Sequence, residues 1–308
     1  MAMKILLATD GSDTARAAVD FLLKFPFPTG TQVTVMTVIR EVLHSDEVQE
    51  LSAEHRKAFE EARDEADVDA QHMLDTEVER LRQAGHVASS QIRSGHPAEE
   101  IVRLATELRS DIIAVGSHGL SGAKRFLLGS VTDRVFEYAP CSVLIVKPGP
   151  AGAEVQPTFP DSGDTWRLLL AYDDSAPARK AVEMCSALPL GSRAVISAVT
   201  VMPMIRMYRQ DIRQQLNWVW QGKKRAAEMA LEWVAAEVGG KDLAVSTQLI
   251  EDSNVSQAVL DTATSLDSDL IVVGHKGKNA FERFLLGSVT ARIAHHAPCS
   301  VLSVRECQ

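Results

Sequence analysis

The sequence predicts an α/β protein made of two tandem, doubly wound (Rossmann-like) domains, each with a five-stranded, mostly parallel sheet flanked by helices. Three observations carry that reading. The chain repeats itself, its apolar residues fall in short continuous runs, and longer helical patterns separate those runs. At 308 residues the chain has the length of two ordinary domains. Its 45% apolar residues furnish more than one core, and with only 5% aromatics those cores are built from Ala, Val, Leu and Ile.

The repeat is visible in four blocks. Residues 4–12 (KILLATDGS) return as 167–175 (RLLLAYDDS), and 33–38 (VTVMTV) as 194–199 (AVISAV). Residues 110–116 (SDIIAVG) return as 268–274 (SDLIVVG), and RFLLGSVT at 125–132 recurs unchanged at 283–290. Both copies then continue into Ala-Pro-Cys-Ser-Val-Leu, from Ala139 and from Ala297. Self-similarity at this period means two copies of one domain, 1–147 and 166–308. The segment 148–165, with Pro148, Gly149, Pro150, Pro157, Pro160 and Gly163 and no apolar period, reads as a linker.

In the first copy, strands are expected near 3–9, 32–39, 87–93, 111–116 and 142–146. Their runs are continuous rather than alternating, which marks strands covered on both faces by helices. A long helix is expected between the second and third strands, with Phe59, Ala62, Ala66, Ala70 and Met73 on one stripe and a solvated acidic face opposite. Its counterpart in the second copy carries Ala226, Met229, Trp233 and Glu237 at helical spacing. Trp218, Trp220 and Trp233 are read as core or interface packing rather than base-stacking platforms.

Composition excludes several classes of function. With 32 basic and 41 acidic residues the net charge is −9, which argues against a nucleic-acid groove built from clustered Lys and Arg. No apolar run approaches the ~20 residues that span a bilayer. The N-terminal apolar stretch breaks at Asp10-Gly11, too early for a secretory signal. The four cysteines, Cys141, Cys185, Cys299 and Cys307, lack CxxC spacing, so a reduced cytoplasmic setting is expected. Cys141 and Cys299, opening apolar strands, read as small core residues.

In an open parallel sheet, ligands bind beyond the carboxyl ends of the strands where strand order reverses. There the first strands end at Asp10 and Asp173, the second at Val38 and Val199, and the fourth at Gly116 and Gly274. The segment after the fourth strand carries most information. Gly116-Ser117-His118-Gly119 is followed by nine residues and Gly129-Ser130; Gly274-His275-Lys276-Gly277 is followed by nine residues and Gly287-Ser288. Glycines let backbone amides approach a ligand and permit positive φ. Gly-Ser-Val-Thr then enters a helix whose free N–H groups favour a phosphate. The same residues also serve as turns and helix caps; it is the duplication of the whole spacing that favours a phosphate site.

The repeat and both glycine patterns resemble the tandem-domain, ATP-binding universal stress proteins over nearly the whole chain apart from the linker. The resemblance implies that Thr9 borders the adenine while Asp10 and Val38 hold it, Val38 through its backbone. It implies that Val115, Gly116, His118 and Gly119 contact ribose and phosphates, and that Gly129, Ser130 and Val131 cradle the β- and γ-phosphates. In the second copy the matching positions are Tyr172, Asp173, Val199, Val273, Gly274, Lys276, Gly277, Gly287, Ser288 and Val289. The implied cofactor is ATP, with or without Mg²⁺. The implied role is a cytoplasmic stress-response regulator that holds nucleotide with little turnover, the two copies pairing as an intramolecular pseudo-dimer. A homodimer of chains and a downstream protein partner are further expectations, with neither nucleic acid nor membrane as partner.

The copies depart from each other. Gly95-His96-Pro97 in the first becomes Ser253-Asn254-Val255 in the second, Thr9 becomes Tyr172, where a phenol either stacks near the base or crowds it, and His118 becomes Lys276. No GxxxxGK[ST], GxSxG or HExxH is present, and no catalytic or metal-binding set is expected. His118 as an acid or base, Arg125 and Arg283 as phosphate-neutralising groups, and His295-His296 as a metal pair are the features an enzyme would use. A slow ATPase and a non-binding interaction scaffold are therefore the alternatives.

Overall fold

The computed structural model describes residues 2–40, 48, 52–119, 128–147, 159–160, 164–204, 210–240, 242–277 and 287–305, with the backbone alone for 210–216. Arg125, Arg283, Cys307 and most of the expected linker lie outside the described residues. The chain divides into two compact units, the first ending at Val146 and the second beginning at Lys147.

The first unit runs β1 (Lys4–Ala8), α1 (Asp13–Lys24), β2 (Gln32–Ile39), α2 (Ala53–Gln83), β3 (Val87–Ser94), α3 (Pro97–Leu108), β4 (Ile112–Gly116), α4 (Ser130–Tyr138) and β5 (Ser142–Val146). Its strands lie in the order β3-β2-β1-β4-β5, every neighbouring pair parallel. All residues of β4 and β5 are buried, as expected where helices cover both faces. Ser12 starts α1 by accepting from the Ala15 N–H, with Asp13 in the first turn. That helix then buries Phe21 and Leu22 completely, each contributing roughly 1.5–3 kcal/mol. Pro97 begins α3, where its fixed φ suits the first helical position.

The second unit repeats this plan: β6 (Trp166–Ala171), α5 (Ala176–Ala187), β7 (Ala194–Pro203), α6 (Gln210–Val238), β8 (Ala244–Asp252), α7 (Val255–Ser265), β9 (Leu270–Gly274), α8 (Ser288–His296) and β10 (Ser300–Val304). The strand order is β8-β7-β6-β9-β10, again all parallel. In each unit the order reverses beside the first strand, between β1 and β4 and between β6 and β9. Among the described residues no helix is long and apolar enough to cross a membrane.

The long helices correct the expected stripes. In α2, Ala62 and Ala66 are exposed and Phe59, Ala70 and Met73 are half-buried, while Leu74, Val78 and Leu81 enter the core. In α6 the expected stripe of Ala226, Met229, Trp233 and Glu237 is exposed, and Leu231, Val234 and Val238 are buried instead. Two stripes share this helix, and packing against β7 and β8 selects the aliphatic one. Trp218 is 76% exposed and Trp233 38% exposed, so neither is a core residue of this unit. Cys141 and Cys185 are buried and Cys299 is half-buried; all three are free thiols, and burial pushes Cys185 and Cys299 up to about 12.

A second correction concerns register. The Thr9 N–H donates to the Met36 carbonyl at 2.8 Å, and the Tyr172 N–H donates to the Val199 carbonyl at 2.8 Å. Val199 therefore occupies the place of Met36, and the position equivalent to Val38 is Val201. Val199 lies in the core with Leu169, Val259 and Ile271, whereas Val201 and Val38 are half-buried. The apolar pattern of the blocks lies two residues out of register with the strand pairing, Ala171 standing opposite Val199 as Ala8 stands opposite Met36. A slip of two leaves every side chain on its own face, so the pattern alone does not reveal it.

Candidate functional site

The switch point of each unit gathers three segments: the turn after the first strand, the loop after the fourth, and the start of the helix that follows. In the first unit Asp10 leaves β1 with its side chain turned back, Oδ1 accepting from the Ser12 N–H at 3.0 Å. Its Oδ2 lies 2.6 Å from the point a Cβ on Gly119 would occupy, so carboxylate and loop are in contact. The Ser12 and Thr14 hydroxyls donate to the His118 carbonyl, tying the start of α1 to the same loop. The Gly129 N–H donates to the Ser117 carbonyl at 2.9 Å, and the Thr132 hydroxyl donates to the Gly116 carbonyl at 2.7 Å. These bonds satisfy the polar groups at the end of β4 and fix the start of α4 beside the loop.

The second unit reproduces the arrangement with its own residues. Asp173 accepts from the Ser175 N–H at 3.0 Å, and its Oδ2 lies 2.8 Å from the Cβ point of Gly277. The Ser175 hydroxyl donates to the Lys276 carbonyl at 3.1 Å. The Gly287 N–H donates to the His275 carbonyl at 3.1 Å, and the Thr290 hydroxyl to the Gly274 carbonyl at 2.8 Å.

The loop glycines are needed for closeness, not for left-handed backbone. None of Gly116, Gly119, Gly129, Gly274, Gly277 and Gly287 has positive φ, contrary to one of the two reasons expected for them. A Cβ on Gly116 would stand 2.6 Å from the backbone of Thr14, and one on Gly274 2.8 Å from the Ala178 nitrogen. Those two glycines let α1 and α5 press onto β4 and β9; the others let the loop fold against Asp10, Asp173 and itself.

The described helix starts differ in how they are capped, and α3 begins at His96 with no side-chain cap, Pro97 removing one of its free N–H groups. Ser12, Ser52, Ser175 and Asn254 cap α1, α2, α5 and α7 with side-chain oxygens. By contrast α4 and α8 begin at Gly129 and Gly287 with no side-chain cap, and Ser130 and Ser288 are exposed at their first position. The first-turn N–H groups there are left for solvent or an anion, at the positive end of the helix dipole. His118 adds a buried Nε2 that has no hydrogen-bond partner among the described residues, while its Nδ1 meets the Ser117 hydroxyl at 3.0 Å.

Not every predicted site residue faces a cleft with its side chain. Val115 and Val273 are buried within β4 and β9, so only their backbone lies near it. Thr9 is buried, its hydroxyl accepting from the Gly11 N–H at 3.2 Å. Val131 is half-buried and Val289 36% exposed, both in the first turn of their helices. Ser12, Ser175, Thr132 and Thr290 hold the loops but were not singled out from sequence; their repetition in both copies was the available signal.

The second unit also differs in charge. His275, buried where the first unit has Ser117, meets the Arg305 guanidinium and is pushed down to about 3 by burial, by Arg305 and by Lys276. It is therefore a neutral imidazole accepting from Arg305. Away from this cleft, a cavity of about 600 Å³ opens at the amino ends of β6, β9 and β10, lined by Lys147, Phe159, Arg167, Asp269 and Cys299. Within it the Lys147 ammonium donates to the His295 and Ala297 carbonyls, and burial lowers it to about 8. This cavity lies at the opposite end of the strands from the glycine loops and shares none of their residues. Among the described residues no group of three His, Cys, Asp or Glu is placed to hold a metal ion.

A parallel, doubly wound domain with a glycine loop at its switch point places this protein in the α/β class, whose members receive ligands at the carboxyl edge of the sheet. The family model described as "Universal stress protein family" matches this chain twice, over residues 1–147 and 166–305, and the chain belongs to that family. Universal stress protein YxiE of Bacillus subtilis is 31% identical over 145 residues, covering 47% of this chain and 98% of its own length. Universal stress protein MJ0577 of Methanocaldococcus jannaschii is 32% identical over 155 residues, covering 48% of this chain and 96% of its own length. A universal stress protein from Archaeoglobus fulgidus shares the fold over 98% of both chains, with a TM-score of 0.64 at 21% identity.

Proposed function

We propose that this chain is a regulatory nucleotide-binding protein, each unit holding adenine nucleotide, as ATP, at its switch point with little turnover. One observation carries the reading. In both units a cap-free helix start meets a glycine loop that is braced by a carboxylate, by the serine two residues after it and by a threonine hydroxyl. Such a frame offers main-chain N–H groups to a phosphate chain. Asp10 and Asp173 stand beside it at the carboxyl end of each first strand, where their carboxylates would accept from a base or ribose bound in the crevice.

Small molecules released by denaturing protein purified without added nucleotide should include ATP when examined by mass spectrometry. Gly119→Val with Gly277→Val places side-chain atoms against Asp10 and Asp173. The carboxylates can swing aside, so the fold should survive while nucleotide affinity falls by about 100-fold or more. Wild-type affinity in that double variant would show the clefts to be misplaced.

His118 supports a second reading, slow hydrolysis, because its unpartnered Nε2 lies in the loop of the first unit. Phosphate release that is lost in His118→Gln would favour it, and unchanged release would remove it.

A further inference from the structure

The turn after β6 differs from its counterpart after β1 in a way that neither the family frame nor the glycine pattern requires. Asp174 stands where the first unit has Gly11. Both residues adopt left-handed backbone, φ 61° and φ 75°, a conformation natural for glycine and strained for aspartate. Asp174 is held there by two groups. The Tyr172 hydroxyl donates to its Oδ1 at 3.0 Å, and the Arg179 guanidinium donates to the same oxygen at 2.6 Å and 3.1 Å. The Tyr172 ring lies 6.0 Å from the Trp233 ring of α6, and the Arg179 guanidinium carbon lies 5.6 Å from that ring's centroid. Four side chains from three elements thus close on one another, with Tyr172 and Asp174 flanking Asp173 in the chain.

The first unit has no such closure. Thr9 replaces the phenol, and Met73 Sδ lies 3.0 Å from the Cβ point of Gly11, where the second unit has the Asp174 carboxylate. Arg16, the counterpart of Arg179, donates to the Gly11 carbonyl at 2.6 Å and pairs with Asp13.

Tyr172 is only 3% exposed. A ring that stacks on a bound base has to present a face, and this one presents neither. Its hydroxyl is engaged, and burial together with Asp174 holds the phenol above its usual range, so it stays a donor. We propose that Tyr172, Asp174, Arg179 and Trp233 form a latch over the base end of the second cleft, making the two nucleotide sites unequal. Nucleotide fills the first cleft at low concentration, and the second fills only when Tyr172 is displaced. The proposal rests on the nucleotide reading above and adds to it an order of filling and a named gate.

Calorimetric titration of the full chain with ATP tests it. The wild type should show two classes of site, one per unit, with the second weaker by about tenfold or more. Tyr172→Thr, which installs the residue of the first unit, should bring the two affinities together. Tyr172→Phe keeps the ring but loses the bond to Asp174, and should close part of the gap even if the threonine variant folds poorly. Gly119→Val, which impairs the first cleft, should leave the weaker class in place, assigning it to the second. Trp233 emission should change during the weaker phase alone, a signal that Trp233→Phe should remove. Two equal sites in the wild type, or a gap that both Tyr172 variants leave untouched, would overturn the latch while sparing the nucleotide reading. Absence of binding at either cleft would overturn both.

Discussion

At the carboxyl end of β1 the first unit places Thr9, Gly11 and Met73; at the same point of β6 the second places Tyr172, Asp174 and Trp233. A few ångströms away the two units share a bracing frame, although His275 and Lys276 stand where the first has Ser117 and His118. Asp10 and Asp173 accept from the Ser12 and Ser175 N–H groups at the same 3.0 Å, and Thr132 and Thr290 donate to the equivalent carbonyls of Gly116 and Gly274 at 2.7 and 2.8 Å. The shared residues satisfy backbone groups or make room for backbone, and a change at any of them disturbs the loop itself. Most of those that differ are side chains meeting side chains, which neighbours can accommodate by repacking; Thr14, whose hydroxyl braces the His118 carbonyl, is an exception, since the second unit has Pro177 there. Duplication thus preserves the frame of the cleft and releases its lining.

The sharpest way to break this comparison is through the close-approach glycines. Gly116→Ala and Gly274→Ala each drive a methyl group into helix backbone, and each should destabilise its own unit by about 3 kcal/mol in denaturant unfolding. Markedly unequal losses would show that the two frames are not equivalent.

Acid should separate the units in the other direction. His275 remains neutral in the fold down to about 3, against a usual value of 6.5, so the unfolded chain binds the extra proton first. Its contribution is intact above pH 6.5, falls as the pH drops from there, and levels off near 3. The second unit should lose roughly 5 kcal/mol over that window from this group, at about 1.4 kcal/mol for each pH unit. His275→Ser, the residue found in the first unit, should flatten the dependence; an unchanged acid profile would assign the loss elsewhere.

The smallest effect concerns the two threonines. Thr132→Val and Thr290→Val keep the shape but remove a buried donor, and each should cost about 1 kcal/mol, equally in both units. Thermal unfolding of the two variants side by side gives the measurement, and a difference larger than the effect itself would tie one threonine to something other than its loop.

Much of this was legible in the residues because the central strands are buried on both faces, whereas the edge strands β3 and β8 are mostly exposed or half-buried. Runs such as Ile112–Gly116 and Leu270–Gly274 carry no polar alternation, and their burial is complete. The glycine loops were legible through duplication. The long helices were harder. In α6, Ala226, Met229 and Trp233 form as good an apolar stripe as Leu231, Val234 and Val238, and helical periodicity contains nothing that selects between them. The Val199 position failed for a related reason: a two-residue slip preserves facing, and only the hydrogen bond from the Tyr172 N–H reveals it.

Local composition and repetition thus settled the class of the fold, its division into two copies and the identity of the loops at their switch points. These rest on hydrophobic runs and on backbone demands that act over a few neighbouring residues. Chain closure in space settled the rest: which stripe of a helix meets the sheet, which valine ends beside the cleft, and why the loops carry glycine. It also brought Trp233 onto Tyr172 and Arg179, residues separated by more than a third of the length of a domain. Such contacts depend on the angle and depth at which a helix packs, and no periodicity along the chain encodes those.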